Sequence, residues 1–292
     1  MSPAAETISK PEFAALLAAY PALIDSIQAR TSTYKLQSTR RHLPPPKLTI
    51  KITASRKPNQ ETLKDLDTFR YHRAPLLFSQ QSQQMTLPHV QRLVEWKLQA
   101  DKLQWHPPPA SRHGKFRPTL QSLISSNAPL AAQQAISSAV KLYRSSPQAN
   151  EVQPALAALT QLKGVGPATA SLLLSVHDPQ NVIFFSDEAY RWLCRGGAAA
   201  APIKYTAGEY AELSRRADEL ARRLGVSMID VEKAAYVVVR GAKERAEPAS
   251  DSKKRAGEDI DQAAEESARR RNTGRAGIPD KAGLRRSQRH KT

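Results

Sequence analysis

The fold is decided by the stretch from residue 159 to residue 171, which reads LTQLKGVGPATAS. Gly164 and Gly166 allow a sharp turn, because glycine adopts positive φ angles without a steric penalty. Pro167 suits the first turn of a following helix, where the missing N–H would have had no partner in any case. The stretch therefore predicts two helices joined by a tight glycine hairpin.

This hairpin has the chemistry of an anion-binding site. The first N–H groups of the second helix have no partner within the helix, and with the glycine turn they can approach a phosphate closely. Lys163 adds a positive charge, and Val165 can anchor the turn. We expect contact with the nucleic-acid backbone rather than with bases. The residues expected to make it are Lys163, Gly164, Val165, Gly166, Pro167, Ala168 and Thr169. The alternative is a plain helix–helix turn.

The pattern L-x-GVG-x-x-TA, from Leu162 to Ala170, resembles the hairpin of the helix–hairpin–helix DNA glycosylase superfamily. In that superfamily a catalytic aspartate follows the hairpin at a similar spacing, and here Asp187 lies 23 residues after Gly164. The resemblance implies an all-α, multi-helix bundle of the glycosylase type. It also implies that Asp187 stabilises positive charge on the sugar or activates water, once the base has been flipped into a pocket.

The resemblance also limits the chemistry. Bifunctional members carry a lysine just before the hairpin for Schiff-base formation, and the matching position, seven residues before Gly164, is Ala157. If the protein is an enzyme, we therefore expect a monofunctional DNA N-glycosylase of base-excision repair. Asp187 has a second interpretation, because Ser186-Asp187-Glu188 is also an ordinary helix start in which an aspartate caps N–H groups.

A second resemblance covers residues 60–240. The chain is similar to a group of fungal and animal proteins that share the hairpin and two segments, EWKL at residues 95–98 and GKFRP at residues 114–118. These segments lie close together in the group, so residues 99–113 are expected to be a loop insertion. No activity is carried over from this group. Trp96 and Phe116, each beside basic residues, are candidates either for a stacking surface on nucleic acid or for the core.

Hydrophobic periodicity predicts helices and no sheet. The expected helices cover residues 11–30, 61–70, 87–98, 118–127, 130–144, 187–194, 208–224 and 231–240, besides the two around the hairpin. Pro21 predicts a break near Tyr20. We divide the chain into an N-terminal helical segment (1–30), a basic Pro-containing linker (31–60), the glycosylase-like domain (61–242) and a disordered basic tail (243–292).

Charge favours a polyanionic partner. The 292 residues carry a net charge of +17. The tail contributes +5, from 14 Lys or Arg and 9 Asp or Glu, which leaves +12 on residues 1–242. DNA is the expected partner, bound in a salt-dependent manner. Two clusters in the tail are typical of a nuclear-localisation signal read by an import receptor. They consist of Lys253, Lys254 and Arg255, and of Arg269, Arg270 and Arg271.

Several classes of protein are excluded. A single cysteine, Cys194, rules out an internal disulfide and four-cysteine metal clusters. The histidines show no metal-ligand spacing, and we expect neither a metal nor a cofactor. No stretch approaches 18 apolar residues, so no membrane span is expected. Two functions are favoured: a nuclear DNA glycosylase, or a non-catalytic DNA- or chromatin-binding protein on the same scaffold. A protein–protein adaptor whose basic charge is incidental is the less favoured third alternative.

Overall fold

The computed structural model of the protein describes residues 3–40, 61–80, 82–101, 113–145, 152–196 and 202–246. Every regular element in these ranges is helical and no strand occurs in them, which confirms the all-α prediction. The chain divides into one compact unit over Met1–Ala242 and a second over Lys243–Thr292, and the contacts described below lie in the first. The tail residues expected to direct nuclear import lie outside the described ranges.

The described ranges contain eleven α-helices. They are α1 (Lys10–Arg40), α2 (Leu63–Thr68), α3 (Ala74–Phe78), α4 (Leu87–Asp101), α5 (His113–Ser125), α6 (Pro129–Ser145), α7 (Val152–Leu159), α8 (Pro167–Ser175), α9 (Asp187–Arg195), α10 (Ala207–Leu224) and α11 (Met228–Ala246). A π-helical turn, Phe69–Arg73, joins α2 to α3. As expected, Gly225 ends α10 in the left-handed conformation, and Ser227 and Asp230 cap α11.

Helix α8 lies at the centre of the unit. Its residues from Ala168 to Ser175 are all buried, as an almost entirely apolar or small-residue helix requires. Two buried serines connect it to other elements. The Ser171 hydroxyl accepts the N–H of Phe185 at 2.9 Å, and the Ser175 hydroxyl accepts a hydrogen bond from Arg70 at 2.8 Å. The helix that begins at the hairpin thus also fixes the segment that leads into α9.

Helix α1 differs from the prediction. It runs unbroken through Pro21 and continues to Arg40, so residues 31–40, expected in the linker, are helical. Pro21 lies on the exposed face, where water can satisfy the carbonyl that it leaves without a donor. Buried residues on both sides, Tyr20 and Leu23 among them, hold the helix against the core. Residues 31–40 also contain no glycine or proline that would end a helix.

Both ends of the insertion expected at residues 99–113 are helical. Helix α4 continues to Asp101, and α5 begins at His113 rather than at residue 118. Residues 102–112 lie outside the described ranges. The last helix is longer than expected at both ends, from Met228 to Ala246, and passes the expected domain boundary at residue 242.

Candidate nucleic-acid interface and cavity

The hairpin between α7 and α8 contains two glycines, and the backbone geometry requires glycine at only one of them. Gly164 has a φ angle of +78°, and a Cβ placed there would lie 3.0 Å from Cβ of Leu123 and 3.3 Å from the backbone nitrogen of Ile124. Gly166 has a φ angle of −91° and a ψ angle of 180°, with nothing within 4 Å of a Cβ. Gly164 therefore packs the hairpin onto the end of α5, whereas Gly166 faces open space.

Asn127 holds the hairpin in place. Its Oδ1 accepts the N–H of Lys163 at 2.9 Å, and its Nδ2 donates to the carbonyl of Lys163 at 3.0 Å. The same Nδ2 group also donates to the carbonyl of Ile124 at 2.9 Å. One amide thus joins the end of α5 to both backbone groups of Lys163. The Lys163 residue itself is exposed, so its charge faces solvent on a fixed backbone.

The seven residues expected to contact the nucleic-acid backbone differ in how exposed they are. Val165, Ala168 and Thr169 are buried, and Val165 anchors the turn as expected. Lys163 and Gly166 are exposed, and Gly164 and Pro167 are half-buried. Gly166 is the N-cap of α8 and offers no side chain to the first N–H groups of the helix. A phosphate would therefore meet the Lys163 ammonium group and backbone N–H groups at the start of α8.

Asp187 is the first residue of α9 but not its cap. Ser186 is the N-cap, and its hydroxyl accepts the N–H of Ala189 at 3.0 Å. The Asp187 carboxylate instead accepts a hydrogen bond from the Tyr205 hydroxyl through Oδ1 and pairs with Arg191 through Oδ2 at 3.5 Å. The interpretation of Asp187 as the capping residue is therefore wrong, because the neighbouring serine has that role.

Asp187 lines a cavity with an aromatic wall. The other lining residues are Tyr71, Trp96, Lys97, Ala100, Phe184, Phe185, Ser186, Glu188, Tyr205, Glu232 and Tyr236. The cavity is small, about 30 Å³, which is enough for about two water molecules. In this conformation it does not have room for a nucleobase.

Two other carboxylates of the cavity wall are neutralised by buried arginines. Glu188 pairs with Arg240 at 2.7 Å, and Glu232 pairs with Arg70 at 3.0 Å. Glu232 also accepts the N–H of Phe184 at 2.8 Å. Burial raises the pKa of Glu232, and the positive charge of Arg70 partly opposes that effect. These two pairs hold the walls of the cavity together.

Four aromatic residues of the wall, Tyr71, Trp96, Phe184 and Phe185, belong to the buried core. Trp96 is buried, and its Nε1 donates to Asp67 at 3.0 Å. Lys97 beside it places its Nζ 5.7 Å from the centre of the Phe184 ring. Of the two interpretations of Trp96, the core is the right one, although the residue also lines the cavity. The side chain of Phe116 lies outside the described part of the structure.

The hairpin and the cavity lie close together. Helix α8 starts at Pro167, and Ser171 is about 6 Å further along the helix axis. Ser171 binds the N–H of Phe185, which is two residues before Asp187. Two residues of extended chain span at most about 7 Å. With the Ser171 side chain and its 2.9 Å hydrogen bond added, Asp187 is within roughly 20 Å of the hairpin, a distance of about six base pairs along a duplex.

Two residues of this region gave no clear signal in the sequence. Asn127 precedes α6 in a polar stretch, and its role depends on a contact with a residue 36 positions away. Tyr205 lies just before Thr206, which caps α10 together with Glu209. The Thr-x-x-Glu pattern could have indicated the start of α10, but nothing in it indicates where the tyrosine side chain goes.

The described ranges offer neither a metal site nor a reactive thiol. No group of three His, Cys, Asp or Glu side chains there could hold a metal ion. Cys194 is half-buried, and burial raises the pKa of its thiol to about 12, so the thiolate is scarce at neutral pH. None of the described helices is both long enough and apolar enough to span a membrane.

Comparison with known proteins adds no relative to this description. No family model matches the chain, and no curated protein or solved structure is significantly similar to it.

Proposed function

We propose that this protein binds the backbone of DNA through the hairpin, on a scaffold of the DNA glycosylase type. The observation that carries the proposal is the fixed hairpin itself. Gly164 and Asn127 hold its backbone against α5, while Lys163 and Gly166, the N-cap of α8, are exposed. A rigid loop that presents N–H groups and one ammonium group suits a phosphate and carries no means of reading bases.

The charge of the chain supports the same partner. Residues 1–242 carry a net charge of +12 by sequence. Such an excess attracts DNA over long distances and makes binding sensitive to salt. The basic clusters of the tail add a proposed route into the nucleus through an import receptor. Alanine replacement of Lys253, Lys254 and Arg255 in a fluorescent fusion should then reduce nuclear accumulation.

We further propose that the cavity serves base excision. A monofunctional glycosylase breaks the N-glycosidic bond, joins the oxygen of water to the sugar carbon and releases the base with a proton. Asp187 is the proposed catalytic carboxylate, because the other two carboxylates of the cavity, Glu188 and Glu232, are paired with buried arginines. Ala157 on α7 offers no amine for a covalent intermediate, which fits hydrolysis without strand cleavage.

A non-catalytic DNA- or chromatin-binding protein is the second candidate. Two observations favour it: the cavity of about 30 Å³ is too small for a base, and Tyr205 and Arg191 occupy the Asp187 carboxylate. On this alternative the hairpin works as described, and Asp187 only connects α9 to the segment before α10.

One assay separates the two candidates. The purified protein is incubated with duplex oligonucleotides that each carry one damaged or mismatched base, and alkali reveals any abasic site. Excision that is lost in Asp187→Asn supports the enzyme. Salt-sensitive binding with no excision on any duplex supports the non-catalytic protein. A lack of binding to all duplexes at low salt would contradict both, because both depend on the phosphate contacts of the hairpin.

A further inference from the structure

Tyr205 has a backbone conformation that its side chain disfavours. Its φ angle is +56°, and no other non-glycine residue among the described ones has a positive φ. A bulky L-residue is rarely found there, because its Cβ approaches the following carbonyl. Glu209 fixes the conformation from both sides, since its Oε2 accepts the N–H groups of Lys204 and Thr206, each at 3.1 Å. Strain of this kind persists only where the surroundings impose it.

The imposed conformation places the Tyr205 side chain in the cavity. Its hydroxyl donates to Oδ1 of Asp187, and its ring centre lies 5.1 Å from that of Phe185. Tyr205 thus forms part of the wall and occupies the one carboxylate of the cavity that is not held by a buried arginine.

We propose that Tyr205 is the gate of the cavity. When its side chain turns away from Asp187, the space that it leaves admits one planar nucleobase ring. An amino group of a free base then replaces the tyrosine hydroxyl as the donor to Oδ1 of Asp187, the oxygen that would face the sugar or water during excision. While the gate is closed, Tyr205 acts as a positioning residue for Asp187. The identity of the ligand rests on the proposed function, whereas the movement of Tyr205 does not.

The energetics of the gate follow from the same contacts. Opening breaks a hydrogen bond to a carboxylate, while the backbone of Tyr205 stays held by Glu209. The open state is therefore a minor state within thermal reach. The apparent affinity for a base is the intrinsic affinity reduced by the open fraction. A change that weakens only the contact with Asp187 must then tighten the binding of a base.

Two substitutions separate a gate from a residue that merely fills space. Tyr205→Phe keeps the ring and removes the bond to Asp187. Tyr205→Gly removes the whole side chain and suits a positive φ angle. Free adenine is the probe, since its amino group can donate to a carboxylate. Its affinity is measured by titration, with the indole N–H resonance of Trp96 as a marker of cavity binding. Tyr143→Phe is the matched control, because it removes a tyrosine–aspartate bond, to Asp178, at a distance from the cavity.

A gate predicts that adenine binds Tyr205→Phe about tenfold more tightly than the native chain, as expected for loss of one hydrogen bond to a charged group. Tyr205→Gly should bind it more tightly still, and Tyr143→Phe should not differ from the native chain. A residue that only fills space predicts a gain for Tyr205→Gly alone, because any emptied apolar cavity can bind an aromatic ring. That result, or no binding by any of the four proteins, would overturn the inference. Binding to duplex DNA is measured separately, so loss of the proposed function would be recognised by itself.

Discussion

Replacement of Gly164 by alanine tests the geometry on which the hairpin depends. The φ angle of +78° places an alanine in the left-handed region, at a cost of roughly 1–2 kcal/mol. The new Cβ would lie 3.0 Å from Cβ of Leu123 and 3.3 Å from the backbone nitrogen of Ile124. Neither atom is the end of a flexible side chain, so the contact adds an overpacking cost of about 1–3 kcal/mol.

The expected loss is therefore about 2–5 kcal/mol in the free energy of unfolding. Urea denaturation followed by circular dichroism measures it, provided that the slope of the transition is unchanged. Gly166→Ala is the matched control. Its φ angle of −91° and open surroundings accept a methyl group, and only a small loss of helix capping, below about 1 kcal/mol, is expected. Equal stability of the two variants would refute the proposed packing of the hairpin onto α5.

Three further predictions concern the surroundings of the hairpin and the core. Asn127→Ala should destabilise the protein by about 1–3 kcal/mol, because the hairpin loses its fixed hydrogen bonds, and amide exchange in the hairpin should accelerate. Glu232→Gln should cost roughly 3 kcal/mol in thermal or urea unfolding, since it leaves the buried charge of Arg70 without its counter-ion, whereas Asp25→Asn, in an ion pair of two exposed side chains, should leave the stability almost unchanged. Burial lowers the pKa of His177 from 6.5 to about 4. The neutral imidazole is therefore fully accommodated in the folded state above pH 6.5. As the pH falls toward 4, the free energy of unfolding should decrease by up to about 3 kcal/mol, because the unfolded state takes up a proton first. His177→Gln should flatten that part of the pH–stability curve.

The sequence predicted the features that depend on neighbouring residues. The glycine hairpin, the glycine end of α10 and the capping pair of α11 are local, and each is found where it was expected. The predicted break at Pro21 was wrong, because the effect of a proline depends on which face of the helix it occupies. That face is decided by the packing of α1 against distant residues.

The contacts around the cavity could not be predicted from local sequence patterns. Asp187 was expected to be functional or to cap its helix, and both interpretations missed its hydrogen bond with Tyr205. That contact needs the strained backbone at residue 205, which Glu209 imposes from the next helix. Likewise, the pairs of Glu188 and Glu232 with arginines join residues that are 52 and 162 positions apart. Only the fold brings such residues together.

The central claim is that DNA binds at the hairpin, and Gly166→Asp tests it most directly. The position is open and caps α8, so an aspartate fits there as a good N-cap while its charge repels a phosphate. Gly208→Asp is the matched control, with the same change of charge in the first turn of α10 and the same open surroundings.

The measurement is the affinity for one duplex at several salt concentrations. We predict that Gly166→Asp weakens binding at least tenfold and lowers the slope of log K against log salt by about 1, since one phosphate contact is lost. Gly208→Asp should stay within about twofold of the native chain, because it changes only the overall charge. Equal affinities and slopes for the two variants would contradict the assignment of the hairpin as the DNA-binding surface.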